Sequence, residues 1–222
     1  MRKRLIVFAI IVIIIITSAA VASAQSGLSI LYFFSTTCAH CKSVEPVVKE
    51  LSKTYRVEGL VYGKGEPGSM PFAVRKGDKE TSTIYGINGV PVLVVLQNGV
   101  VRQIIRGEND IRSCPNILRA LSKGALSVSE MVAKGPQYTY TVTGWIVSRG
   151  DYFKGAKFYL TDRQQTIVIK PWLPLEAVKS PFNSARPRLM SDVINKPVYL
   201  DGTFSKIDNT LQFTVGKELT LD

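Results

Sequence analysis

Cys38 and Cys41, with Ala39 and His40 between them, are the residues of this sequence with the most definite chemistry. They follow an apolar, β-rich run from Leu28 to Phe34 and stand just ahead of a helical pattern. Two cysteines separated by two residues at a strand-to-helix turn are placed for thiol–disulfide exchange. A cysteine at a helix N-terminus meets unpaired N–H groups and the positive end of the macrodipole, and both favour its thiolate. Cys38, the outer thiol, is expected to attack, and Cys41, one turn in, to resolve the mixed disulfide. The imidazole of His40 is expected to steady the Cys38 thiolate further. Half a zinc site and a structural disulfide are the competing readings. Zinc normally takes four ligands, and the chain holds three cysteines and a single histidine, so no metal or other cofactor is expected.

The elements that must position this pair can be read from the flanking sequence. Pro46 lies inside an apolar stripe of Val44, Val47, Val48 and Leu51 at helical spacing. Downstream, Tyr85-Gly86-Ile87-Asn88-Gly89-Val90-Pro91 leads into the strand-like run Val92 to Leu96. Together these motifs resemble the thioredoxin superfamily over about residues 27–123. The resemblance implies an α/β thioredoxin-like domain in which Val90–Pro91 is a cis peptide facing the cysteines. Pro91 would then shape a substrate groove, with a client's extended backbone pairing beside Val90.

Within this domain the patterns predict a strand over Leu28–Ser35, a helix from Ala39 to about Tyr55, and a strand over Val57–Tyr62. Gly63–Gly77, with its glycines and prolines, reads as a loop, and Lys79–Tyr85 as a short helix. Val92–Leu96 and Val100–Ile105 form a hairpin about Asn98-Gly99, a strong turn signal. One helix over Asp110–Lys123 closes the domain, with Pro115 near its first turn. Cys114 falls in register with Ile111, Leu118 and Leu121, so it reads as a buried small hydrophobe. A third redox thiol is the other reading.

Two departures from the family pattern bear on direction. Many thioredoxins carry a buried acid six residues before the attacking cysteine, whereas this chain has Tyr32 there. Ala39-His40 replaces the Gly-Pro of reducing thioredoxins, and a histidine before the second cysteine is similar to DsbA-type oxidases and protein disulfide isomerase. A stabilised Cys38 thiolate makes the disulfide a better oxidant, so oxidase or isomerase work is expected over reduction.

Met1-Arg2-Lys3-Arg4, the apolar run Leu5–Ile16 and the small residues ending in Ala22-Ser23-Ala24 form a signal-peptide pattern, residues 1–24. Its twenty uncharged residues also suit an uncleaved anchor. Either way the remainder is expected outside the cytoplasm, where disulfides persist. The formal charge of +11 falls to +8 without the three residues Arg2, Lys3 and Arg4, and the excess is spread over both halves. That spread, with no basic run after Arg4, fits work near an anionic membrane or acidic partners, but reads first as a solvated surface.

Residues 25–126 read as the thioredoxin-like domain and 127–135 as a linker helix, with Ser127 and Glu130 at capping-box spacing. Residues 136–222 hold five strand-like runs: Tyr138–Trp145, Ala156–Thr161, Thr166–Lys170, Val198–Phe204 and Thr210–Val215. A long interval, Pro174–Lys196, follows the third and is partly helical near Leu189–Ile194. This resembles the OB-fold, a small all-β barrel. OB-folds often stack bases on aromatics, and Trp145, Tyr159, Trp172 and Tyr199 are the residues available for that. Export argues against nucleic acid, and the absence of histidine from this half rules out haem held as in the exported OB-fold haem chaperones. The expected partners are protein thiol or disulfide clients and a redox partner protein, with membrane tethering through the N-terminal segment. The alternative function is an adaptor whose OB-like half docks a partner while the thioredoxin-like half is a scaffold.

Overall fold

The computed structural model describes residues 27–62, 69–136, 138–149, 157–170 and 194–219. The signal-peptide or anchor reading, the stretch Gly63–Gly68, Trp172 and most of the partly helical interval lie outside the described residues.

The first half is built on a five-stranded sheet of order β3-β2-β1-β4-β5. Strand β1 (Leu28–Phe34) runs parallel to β2 (Arg56–Val61), and β2 parallel to β3 (Ala73–Lys76). Strand β4 (Val92–Gln97) is antiparallel to β1 and turns at Asn98-Gly99 into β5 (Val100–Arg106). Ile30, Tyr32 and Phe34 enter one core and Phe33 another. That two-sided burial is why the run from Ile30 to Phe34 is apolar throughout rather than alternating.

Helix α1 (Ala39–Leu51) buries Cys41, Val44, Val48 and Leu51, one helical stripe, against the first of these cores. It stops short of Tyr55: the Ser52 hydroxyl bonds back to the Lys49 carbonyl, and Lys53 and Thr54 donate to Glu50 and Leu51 in tight turns. Helix α2 (Lys79–Ile84) is capped by Asp78. Strand β3 falls within the expected loop Gly63–Gly77 and corrects it. Its residues are mostly exposed, so the ladder to β2 rather than an apolar face makes the strand. The closing helix is also divided, into α3 (Glu108–Ser113) and α4 (Pro115–Ser122). Pro115 has no N–H to donate and its ring opposes the carbonyl four residues back, so one helix ends and another starts there. Cys114, at the junction, is fully buried with Ile111, Leu118 and Leu121.

The second half is a closed barrel of β6 (Tyr138–Arg149), β7 (Lys157–Thr161), β8 (Thr166–Lys170), β9 (Pro197–Ile207) and β10 (Thr210–Glu218), in the order β10-β8-β7-β6-β9. Strands β8 and β10 pair in parallel and every other pair is antiparallel, an OB-like barrel. A close approach requires glycine at one point. A methyl on Gly202 would run into the Thr214 carbonyl oxygen and come within 2.7 Å of the Phe213 ring. Gly202→Ala is therefore expected to destabilise the protein by about 1–3 kcal/mol. A thermal melt indistinguishable from the wild type would refute this packing.

Helix α5 (Val128–Lys134) has the full capping box of Ser127 and Glu130 and ends at Gly135, φ +95°. Val128 and Met131 are buried in the barrel core, and Leu126 bridges to Val142, so this helix packs as part of the barrel. Trp145 does the reverse. It stands on β6 but is fully buried in the core of the first half, and its Nε1 donates to Ser113 Oγ at 3.0 Å. The indole is thus sealed in the seam between the halves and is no stacking platform. Tyr159 and Tyr199 are half-buried.

Candidate active site

Cys38 is the N-cap of α1, in extended backbone conformation, and its sulfur accepts the Cys41 N–H at 3.2 Å. The half-buried thiol makes a long contact, 3.8 Å, to the Val90 carbonyl. The Val90–Pro91 peptide is cis, and the Pro91 carbonyl accepts the Gly107 N–H at 3.0 Å. The structure therefore brings Cys38, Cys41 and the Val90 carbonyl together, with Pro91 next to Val90 in the chain. Cys41 is 2% exposed. Loss of water, and then the hydrogen bond with Cys38, push its thiol up to about 12. One sulfur is thus partly accessible and the other withheld from solvent.

His40 goes elsewhere. Its ring is 73% exposed, and Nδ1 meets Glu108 Oε2 at 2.7 Å, on α3, rather than leaning on Cys38. Glu108 also accepts the Ser43 hydroxyl and Arg112 Nε, the latter at 3.0 Å. Arg112 Nη2 in turn donates to the Ser43 carbonyl at 3.1 Å. No local sequence signal marks Glu108, which is 68 residues from His40. The Ser43 hydroxyl first, then His40 and Arg112, draw the Glu108 carboxyl down to about 2. A carboxyl lowered by folding contributes stability above its ordinary value of 4.5, and that contribution is lost as pH falls toward about 2. Acid titration of folding stability is therefore expected to show a loss between about pH 4.5 and 2 that Glu108→Gln diminishes. Identical acid limbs in the two proteins would refute the network.

Tyr32 occupies the position of the missing acid. Its hydroxyl donates to the Cys41 carbonyl at 3.2 Å and its ring stacks on Phe34 at 4.9 Å. Burial first, then Cys41, Glu45 and Cys38, hold the phenol above its usual range, so it keeps its proton and takes none from Cys41. A cavity of about 250 Å³ opens beside these residues, lined by Tyr32, Cys41, Lys42, Glu45 and Met70. Glu45, ion-paired with Lys49 at 2.5 Å, brings a carboxylate to that cavity which the motif reading passed over. Cys114 stands outside this group: burial pushes its thiol up to about 12, the state of an inert structural cysteine. Among the described residues no cluster of three metal-ligating side chains occurs.

An N-capping cysteine, a buried second cysteine and a cis X–Pro bond on a β3-β2-β1-β4-β5 sheet define the class: a redox dithiol on a thioredoxin-type fold, the arrangement of thiol–disulfide oxidoreductases. Residues 17–120 match the Thioredoxin family model, and the described residues of this half form a thioredoxin-like α/β domain. No curated protein matches the chain. Among solved structures it is similar to a thioredoxin of Halobacterium salinarum, at 21% identity and TM-score 0.33, over 46% of this chain and 80% of that one. The thioredoxin of Plasmodium falciparum gives 22% identity and TM-score 0.32, over 46% and 88%. StoA of Bacillus subtilis gives 17% and 0.32, over 37% and 75%. The domain assignment rests on the family match and the sheet topology, not on these likenesses.

Proposed function

We propose that this chain is an exported thiol–disulfide oxidoreductase acting on protein disulfides, working as an oxidase or isomerase rather than as a reductant. The observation that carries the reading is the asymmetry of the pair: Cys38 half-exposed at the head of α1 with an N–H aimed at its sulfur, Cys41 buried one turn in. An N–H directed at Cys38 Sγ favours the sulfur when it bears charge, which stabilises the reduced form and raises the oxidising power of the disulfide. Export rests on the basic and apolar pattern of residues 1–24, and a disulfide chemist has most work where disulfides persist. The Val90 carbonyl, within reach of Cys38, is where a client backbone would pair.

In the exchange the Cys38 thiolate attacks a client disulfide, a mixed disulfide forms and one client thiol leaves. Cys41 then loses its proton and attacks Cys38 Sγ, releasing the second client thiol and forming the Cys38–Cys41 bond. Oxidation of a client runs these steps in reverse, and a redox partner protein re-oxidises the pair.

The deciding measurement is the reduction potential of the Cys38–Cys41 couple, by equilibration in glutathione buffers with thiol trapping and mass spectrometry. A value near about −120 to −180 mV is expected, and about −270 mV or lower would make the protein a reductant. A pair that never exchanges would leave the adaptor function, with the barrel as docking module.

A further inference from the structure

Helix α3 is only six residues long, yet its polar side chains grip two different parts of the molecule. Glu108 and Arg112, one turn apart, hold the active-site helix: Glu108 takes the Ser43 hydroxyl and His40 Nδ1, and Arg112 takes the Ser43 carbonyl. Asp110 and Ser113 hold the barrel. Asp110 accepts both Nε and Nη2 of Arg163, at 2.9 and 2.8 Å, and Ser113 accepts the Trp145 indole N–H.

The barrel side of this grip is itself held by several contacts. Arg163 sits in the β7–β8 turn at φ +70°, with its N–H held by Thr161 Oγ1 at 2.9 Å and its guanidinium over the Trp145 ring at 5.3 Å. The neighbouring Asp162 carboxylate takes the N–H groups of Gln164, Gln165 and Ser129, at 3.0, 2.7 and 2.6 Å. A two-point guanidinium–carboxylate pair fixes orientation as well as distance. The Glu108–His40 and Asp110–Arg163 contacts thus stand on one short helix, and a rotation of that helix would disturb both.

We propose that Arg163 and Asp110 are positioning residues for the redox centre: the barrel holds α3 through them, and α3 holds His40 away from Cys38 through Glu108. This rests on the reading of Cys38 and Cys41 as an exchange pair. It gives the second half a role in the chemistry of the first although no barrel residue touches either active-site cysteine among the contacts described. Releasing α3 frees the imidazole to turn toward Cys38, where a ring N–H donated to the sulfur favours the thiolate and makes the couple more oxidising.

The test uses the full chain with Arg163→Ala, Arg163→Lys, Glu108→Gln and the Arg163→Ala/Glu108→Gln double variant, after thermal unfolding has shown each to be folded. His40 is the only histidine in the chain, so its ring resonances report on its setting without any assumption about redox function. Arg163→Ala is expected to move the His40 ring signals toward those of Glu108→Gln, and Arg163→Lys to bring them part of the way back. The glutathione equilibrium constant is expected to shift about threefold or more in the oxidising direction in Arg163→Ala, which is about 14 mV on a scale of 29.6 mV per tenfold. The double variant is expected to go no further than Glu108→Gln alone.

Unmoved His40 signals in Arg163→Ala, with clear movement in Glu108→Gln, would overturn the proposal. So would effects of the two substitutions that simply add. A wild-type pair that does not exchange would instead overturn the reading of the site, and the His40 signals would still decide whether the barrel positions this ring.

Discussion

Cys41→Ser is expected to leave the protein covalently attached to its clients, and Cys38→Ser to abolish exchange. The two results differ because the cysteines differ in burial. With Cys38 removed, Cys41 would be the nucleophile, but it is 2% exposed, and burial, the largest cause of its raised value, remains. Its thiolate is therefore scarce at neutral pH and its sulfur closed to a client. With Cys41 removed, Cys38 still attacks at the mouth of the site and nothing resolves the product. Non-reducing gels and mass spectrometry of the two variants, incubated with a disulfide-bonded client, distinguish them. Free exchange by Cys38→Ser would end the proposed mechanism. In the wild type, release of the mixed disulfide should quicken about tenfold per pH unit near neutrality, because Cys41 gains thiolate as pH rises toward its raised value.

The largest effect on stability is expected at Trp145. Removing a fully buried indole typically costs about 3–5 kcal/mol, and this one belongs by chain position to the barrel and by packing to the other half. Trp145→Ala should therefore lower the stability of both halves and reduce the cooperativity between them, giving a broadened or two-step denaturant transition by far-UV circular dichroism. Trp145→Phe, which keeps most of the volume but loses the bond to Ser113 Oγ, should cost about 0.5–1.5 kcal/mol from the hydrogen bond. Equal losses in the two variants would show that the bond rather than the packing holds the seam.

The parts of this architecture that could be read directly from the sequence are those whose causes are local. The apolar run before Cys38, the stripe Val44–Val48–Leu51, the Asn98-Gly99 turn and the Ser127–Glu130 capping box each carry their own signal, and each stands in the structure. Strand β3 was not readable because Ala73-Val74-Arg75-Lys76 is an exposed edge whose only support is the ladder to β2. The break at Cys114–Pro115 was half-visible: the proline was seen, but its position relative to a helix beginning at Glu108 was not. The engagement of His40 by Glu108, and of Trp145 by Ser113, joins residues far apart in the chain. Neither pair has a periodicity or spacing that a single sequence reveals, so the dithiol and its Val90–Pro91 neighbour are legible and the polar contacts of His40 and Trp145 are not.

The parallel pairing of β8 with β10 has a consequence in time. The barrel cannot close until β10 has been made, whereas the sheet of the first half and its helices are complete once residue 122 has been synthesised. At about 5–20 residues per second, the interval to residue 218 is about 5–20 s. During it the cysteine-bearing half can fold with its seam bare: Asp110 lacks Arg163, Ser113 lacks the indole, and the cluster that holds Cys114 lacks Trp145. A thiol that the finished protein keeps sealed thus passes through an open period at birth, in the same core cluster as Cys41, whose disulfide with Cys38 would oxidise it and be reduced in turn. Completion of the barrel ends that exposure.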